Sequence, residues 1–433
     1  MPSHPATRPP RLSVAMVSMA ALAYEILLMR LFSIIQWHHF AYMIISLALL
    51  GYGASGTFVS LLQRRLLAHF RSAYAINIGL FGICAIGCYL VAQQIRFNAE
   101  EVLWDAGQPL RLMAIYLLLA LPFFFAANAI ALALAHFRDR IAHVYAADLA
   151  GAGLGSLGIV GLLYVVLFPA EALCLLGALG LTAAAVAWWE VGGRPRIEGL
   201  AFLAVGVFAL GLPPEWTALN LSPYKGLESA LRIQGAQLVD ERSGPLGLLS
   251  VVESPAVPLR HAPGLSLIAD ALPPEQLGVF TDGGNMTAIA RDTGDPADLA
   301  YLDQVTSALP YHLARPRRVL VLGAGGGAEV LQALYHGAEQ IDAVELNPQM
   351  IALVRDTYGE YSGDPYGGDE ATVHAAEARG FAASSEREFD LVQLALLDSF
   401  GASSAGLYAL SESYLYTVEG LQAYLRRLAP DGY

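Results

Sequence analysis

Hydrophobic residues are not spread evenly along this chain. Long apolar runs occupy residues 12–35, 40–62, 73–95, 111–135, 144–168 and 170–189. Each is long enough to cross about 30 Å of hydrocarbon as a helix. A seventh run, 199–212, has 14 residues, which is marginal for a span and reads equally as an interfacial or re-entrant segment.

Beyond residue 213 the pattern changes. Residues 221–289 read as short strands and turns, such as 246–252 between Gly244-Pro245 and Ser254-Pro255, and 278–281 before Asp282-Gly283-Gly284. This predicts a small β-rich subdomain. Residues 299–313 have helical spacing, with Leu302, Val305 and Leu309 on one side. After Arg317-Arg318 strands and helices alternate: strand 319–322, helix 328–335, strand 341–345, helix 348–358 with Pro348 in its first turn, then 372–375, 377–383, 390–396 and a last helix over 418–428. That alternation predicts a doubly wound, Rossmann-like parallel sheet whose ligand lies at the carboxyl ends of the strands. The expected fold is therefore an α-helical transmembrane bundle (1–212) followed by an α/β part, made of a β-rich subdomain (213–298) and a parallel-sheet domain (299–433).

Composition sharpens the division. The chain is 55% hydrophobic with a mean hydropathy of +0.48, too apolar for a soluble protein of 433 residues. Residues 1–212 carry a net charge of +3 and residues 213–433 a net of −16. The acidic half argues against nucleic acid as a partner, which needs a basic face. It is a solvated acidic surface or suits a cationic substrate. Arg8, Arg11, Arg64, Arg65, Arg71, Arg138, Arg140, Arg194 and Arg196 fall on one side of the predicted spans, and only Arg96 and Arg111 on the other. The positive-inside rule then sets the N-terminus in the cytoplasm of an inner-membrane, multi-pass protein with the lipid bilayer as partner. Six crossings keep the acidic domain in the cytoplasm; a seventh would export it. Supply of nucleotide cofactors favours the cytoplasm.

Glu25, Asn128 and Asp148 lie within predicted spans, where ionisable and polar groups are costly. A buried Glu25–Arg30 pair is one reading of the first. Gly151 and Gly155 form a G-x-x-x-G pattern suited to close helix packing. Cys84, Cys88 and Cys174 all sit in apolar runs and imply neither a disulfide framework nor a metal site.

The candidate chemistry gathers at Leu322-Gly-Ala-Gly-Gly-Gly-Ala328. Gly323, Gly325 and Ala328 fit a dinucleotide fingerprint; Gly323, Gly325 and Gly327 fit the turn of S-adenosylmethionine enzymes. Glu345 ends the next strand, where an acid holds ribose hydroxyls in either class. Glu377, followed by the small Ala378, ends the third and suits the adenine side of an S-adenosylmethionine site. The competing readings are a glycine turn made for packing and a solvent-facing Glu377.

At this point the chain resembles a family. Leu221-Ser-Pro-Tyr-Lys-Gly226, Thr281-Asp-Gly-Gly284, Tyr301-Leu-Asp303, 322–327, Val344-Glu-Leu346, Glu377-Ala378 and 390–398 together resemble spermidine synthases, which share the fold of class I S-adenosylmethionine-dependent methyltransferases. The closer likeness is to bacterial proteins that fuse such a domain to a membrane bundle. The resemblance implies S-adenosylmethionine or its decarboxylated form as cofactor and a small-molecule amine as acceptor; a homodimer is one assembly open to the chain. It implies an aminopropyl transfer needing carboxylates and tight positioning. Asp398 is then a candidate substrate acid or base, or else a turn cap, and Tyr301 a pocket or core residue. The departures fall on acids: Gly326 stands where the family carries Asp, Ala395 where it carries the general base, Met286 where it carries Gln, and Asp303 where it carries Glu. The family's sheet continues where Leu428-Ala-Pro-Asp-Gly-Tyr433 ends, so this sheet is expected to be truncated, with an unpaired edge and reduced stability. Two further readings are a methyltransferase-like enzyme with another acceptor, and a nucleotide-binding domain that regulates a membrane transporter or sensor.

Overall fold

The structure, a computed structural model, describes residues 8–36, 40–165, 168–192, 197–284, 286–395 and 414–433. The chain divides into two compact units, Met1–Ser222 and Pro223–Tyr433.

The first unit is helical. Six helices are long and apolar enough to cross a membrane: α1 (Arg11–Ile35), α2 (Phe40–Ala68), α3 (Phe70–Gln94), α4 (Gln108–His136), α5 (Ile141–Val165) and α6 (Pro169–Gly192). A seventh, α7 (Ile197–Leu210), has 14 residues, or about 21 Å of rise. Lipid tails are as apolar as leucine, so apolar area alone does not hold such helices together; close backbone approach and polar ties do. Both are present. A Cβ on Gly151 would lie 2.1 Å from the Ala15 carbonyl oxygen, and one on Gly155 2.3 Å from that of Met19. The two glycines thus let α5 lie backbone to backbone on α1. Ser55 of α2 donates to Asn128 Oδ1 of α4 at 2.7 Å, and Asn128 Nδ2 donates to Asn77 Oδ1 of α3 at 3.1 Å, so one buried amide joins three helices. Ser18 Oγ of α1 donates to Asp148 of α5 at 2.5 Å. Glu190, near the end of α6, accepts from the backbone N–H groups of Leu12 and Ser13 at 3.1 and 2.9 Å. It caps the first turn of α1, whose amides have no partner within the helix. Glu25 makes no ion pair with Arg30 among the described residues. Five residues apart, they face about 140° away from each other around α1; Arg30 Nη1 donates to Ser33 Oγ instead. Leu154, Leu157, Tyr164 and Val165 leave α5 with an exposed apolar face, the kind of surface that hydrocarbon covers.

The second unit holds two four-stranded sheets. The first is an antiparallel meander of β1 (Gln237–Gly244), β2 (Gly247–Glu253), β3 (Gln276–Thr281) and β4 (Met286–Ala290). The second is parallel, ordered β7-β6-β5-β8, from β5 (Arg318–Leu322), β6 (Gln340–Glu345), β7 (Ala371–Ala375) and β8 (Leu391–Leu394). Val319, Leu320, Val321 and Leu322 are all buried, which is why β5 reads as an unbroken apolar run and occupies the sheet centre. The chain runs from β5 to β6 on one side and reaches β8 on the other. The carboxyl end of β5 is therefore the switch point where ligands of such sheets bind.

Three local expectations fail for identifiable reasons. Residues 299–313 are not one helix. Val305 is extended at φ −91°, ψ 151° and bridges Leu265, so the segment splits into the 3-10 turns Pro296–Asp303 and Thr306–Ala308 and the short helix Leu309–Ala314. The helix expected over 348–358 starts as Pro348–Ala352 and widens into a π turn, Leu353–Thr357. The outer edge of β8 is not bare: Tyr433 N–H donates to the Asp390 carbonyl at 3.0 Å, and Val392 N–H to that of Tyr433 at 2.9 Å.

The glycine contacts make a testable claim. Gly151→Ala or Gly155→Ala forces α5 away from α1 and should cost about 1–3 kcal/mol. Gly153, with nothing within 4 Å of its Cβ position, should tolerate Ala within about 0.5 kcal/mol. Thermal unfolding in detergent compares the three; equal losses at 151 and 153 would contradict the packing.

Candidate functional site

The loop after β5 is shaped by what L residues cannot do. Gly323, Gly325 and Gly327 have φ of 84°, 50° and 92°, a region where a Cβ clashes with the backbone. Gly326 is constrained differently: its Cβ would lie 2.3 Å from the Ala288 carbonyl oxygen on β4. The two sheets meet here, and Gly326 N–H donates to Thr287 Oγ1 at 3.0 Å.

The loop amides are spent inside the protein. Gly323 and Ala324 N–H donate to the Val344 carbonyl at 2.8 and 3.0 Å, and Gly327 N–H to the Ala324 carbonyl at 2.9 Å. Gly325 N–H donates to Glu345 Oε2 at 3.0 Å, while Glu345 Oε1 accepts from Asn347 N–H at 2.8 Å. Burial pushes the Glu345 carboxyl up from its ordinary value, and the amides of Asn347, Gly325 and Leu346 oppose that shift. Each Glu345 oxygen keeps a lone pair for a further donor, such as a sugar hydroxyl.

These groups border a cavity of about 260 Å³. Tyr301, Gly323, Gly325 and Glu345 all lie on its wall, so four of the expected residues converge. Gly327, Glu377 and Ala378 are not among its lining residues. Glu377 is exposed and caps the helix Ala378–Ser384, accepting from Arg379 N–H at 2.9 Å and Gly380 N–H at 2.6 Å, while Ala378 is buried under β5 and β6. Asp398 lies outside the described residues. Burial, the largest effect, lifts the Tyr301 hydroxyl to about 12, against a hydrogen bond from Gln276.

Gln332 and Gln393 also lie on the wall, tied to Tyr311, which is not a lining residue. Tyr311 Oη donates to Gln393 Oε1 at 2.9 Å, Gln393 Nε2 to Gln332 Oε1 at 2.9 Å, and Gln332 Nε2 to the Leu302 carbonyl at 2.8 Å. Glu329 lines the cavity from the first turn of the helix Ala328–Tyr335. Burial raises its carboxyl from the ordinary value. An acid in a first helical turn is usually read as a partner of the helix dipole, which hides this one; the usable signal was its spacing of three from Gln332, on the same face. His261 also lines the cavity, and burial lowers its titration, favouring the neutral ring. None of the described lining residues is Lys or Arg. Its described residues thus offer two carboxylates, hydroxyls and amides to a ligand, and no cationic side chain.

Residues 301–432 match the family model described as the spermine/spermidine synthase domain. The chain is 29% identical over 97 residues to polyamine aminopropyltransferase 2 of Hyperthermus butylicus, covering 22% of this chain and 32% of that one. It is 28% identical over 120 residues to the polyamine aminopropyltransferase of Korarchaeum cryptofilum, covering 28% and 34%. The chain thus spans about a third of the length of these curated relatives. The solved spermidine synthase of Thermotoga maritima is 18% identical with a TM-score of 0.32, covering 45% of this chain and 55% of that one.

The raised Glu329 carboxyl has a consequence for stability. A folded-state value above the unfolded one means that the ionised form destabilises the fold at pH 7, and that the penalty disappears as pH falls below about 4.5. Glu329→Gln removes it. The variant should melt above the parent chain at pH 7, and the gap should close as pH is lowered toward 4.5; identical melting at pH 7 would contradict the burial of this charge.

Proposed function

We propose that this chain is a membrane-anchored transferase whose C-terminal unit binds decarboxylated S-adenosylmethionine, or S-adenosylmethionine itself, and transfers an aminopropyl group to an amine. The observation that carries the reading is the charge of the cavity. A dinucleotide brings a pyrophosphate, which needs free amides or basic side chains. Here the amides of 323–327 are engaged within the protein, and no described lining residue is Lys or Arg. A sulfonium nucleoside brings a positive charge and sugar hydroxyls, which suit Glu345 and Glu329. The match to the spermine/spermidine synthase domain and the names of the relatives support the same choice.

The cofactor supplies an electrophilic carbon beside a sulfonium and a neutral thioether as leaving group. The chain's part is to hold, orient and deprotonate. Glu345 accepts from ribose hydroxyls with the lone pairs its two backbone donors leave. Ala324, Leu302, Leu394 and Met350 supply apolar wall, which excludes water and strengthens every charge interaction inside. The attacking amine must reach the carbon as a free base, so its proton passes to a carboxylate as the new C–N bond forms and the C–S bond breaks. With Gly326 and Ala395 at positions where the resembled family has acids, methyl transfer to another acceptor is the second reading.

Topology follows from length. Six spans bring the chain back to the side of Arg194 and Arg196, and α7, about 21 Å long, falls short of the roughly 30 Å hydrocarbon core. The C-terminal unit is therefore assigned to the cytoplasm of an inner membrane. A reporter enzyme that works only in the cytoplasm, fused after Tyr433, should be active; activity solely from an exported reporter would reverse the assignment.

Calorimetry on the full chain in detergent separates the chemical readings. Decarboxylated S-adenosylmethionine should bind more tightly than S-adenosylmethionine, and NAD should give no heat. Preference for the parent compound would select methyl transfer. Tight NAD binding without sulfonium binding would replace catalysis by nucleotide-regulated transport or sensing.

A further inference from the structure

We infer that Glu329 is the cation-receiving carboxylate of the cavity and holds the ammonium group of the primary alkylamine that the transfer consumes. This rests on the functional reading above and names the residue that selects its acceptor.

Most polar groups of the cavity wall already have partners within the protein. Glu345 is satisfied by Gly325 and Asn347. Thr287 is satisfied by Gly326. Gln332 binds Ser307, Gln393 and the Leu302 carbonyl. Glu329 differs: among the described residues no other residue donates a hydrogen bond to its carboxylate. A half-buried carboxylate that opens on a cavity with so little compensation is costly, and such groups are retained where a positive partner pairs with them.

The neighbours do not supply that partner. Three tyrosines feel the Glu329 charge: Tyr301 in Pro296–Asp303, Tyr311 in Leu309–Ala314, and Tyr366 in the loop before β7. Two of the hydroxyls are committed elsewhere, Tyr311 to Gln393 at 2.9 Å and Tyr366 to the Gly325 carbonyl at 2.7 Å, and among the described residues Tyr301 makes no hydrogen bond to Glu329. Glu345 and His261 are the other titratable groups on the wall, and neither offers a positive charge: the first is an acid, and burial favours the neutral ring of the second. The open valence of Glu329 faces the cavity. A primary ammonium, with three N–H donors on a compact charge, fits it, and the aliphatic chain behind the charge suits Leu302, Val305 and Met350.

Bound there, the ammonium loses one proton to the Glu329 carboxylate, which becomes the neutral acid. The freed nitrogen lone pair forms the new C–N bond, and the electrons of the breaking C–S bond go to sulfur, turning the sulfonium into a thioether. Charge and protons balance without a further reagent.

The test uses the full chain in detergent, with methylthioadenosine filling the nucleoside site, titrated with 1,4-diaminobutane. Glu329→Gln should weaken diamine binding by about 30-fold or more, the usual scale for breaking a buried charge pair, and should abolish the preference for butylamine over 1-butanol. Glu329→Asp should recover part of it. In the parent chain diamine affinity should fall as pH drops through the raised Glu329 titration, and in Glu329→Gln this fall should vanish, which a merely structural residue would not produce. Diamine affinity in Glu329→Gln within twofold of the parent, or no diamine binding to either, overturns the assignment. So does a loss confined to decarboxylated S-adenosylmethionine, which would assign the charge to the cofactor's sulfonium. Failure of both sulfonium nucleosides to bind the parent chain sinks the functional reading instead, and is read in a separate titration.

Discussion

One carboxylate organises the ligand end of the parallel sheet. Glu345, at the tip of β6, takes the amide of Gly325 on one oxygen and that of Asn347 on the other. The first bond draws the glycine loop across the end of β5; the second turns the chain into the helix Pro348–Ala352. Neither arrangement tolerates a side chain at the loop's left-handed positions, since φ of 50° and 84° at Gly325 and Gly323 belongs to glycine. Burying this acid costs energy, as its raised titration shows, and the amide bonds offset part of that cost. The remaining lone pairs point to where a ligand's hydroxyls would lie. The shape and charge of this end of the sheet trace to this contact.

The membrane unit solves a different problem with similar means. In lipid a polar group without a partner is expensive, and the helices answer by pairing theirs across elements: Asn128 with Ser55 and Asn77, Asp148 with Ser18, Glu190 with the free amides of α1. Glycine adds close backbone approach, between α1 and α5 beside the Ser18–Asp148 tie. Gly151 and Gly155 admit the backbone of α1, and Gly82 and Gly177 do the same between α3 and α6.

Much of this was legible in the residues. Apolar runs of span length gave the six helices within a few residues at most ends, and Val319-Leu-Val-Leu322 could only be a buried strand. The glycine loop was legible because positive φ leaves a compositional mark. What escaped depended on tertiary contacts. Val305 left its helical pattern to bridge Leu265. Glu377, at a strand end by spacing, uses both oxygens on the amides of Arg379 and Gly380; short-range capping competes with ligand binding for the same atoms. Gly326 read as a lost acid, yet the Ala288 carbonyl leaves no room there for a Cβ. Glu329 was not singled out because nothing in a linear pattern shows which helix face meets a cavity.

The central claim is that this cavity grips a cationic nucleoside through carboxylates. A structure of the full chain determined with decarboxylated S-adenosylmethionine tests it most directly. The account predicts the nucleoside in the cavity beside Gly323 and Gly325, with its ribose hydroxyls on Glu345. A nucleoside bound elsewhere, with Glu345 contacting only the backbone amides of Gly325 and Asn347, would contradict it.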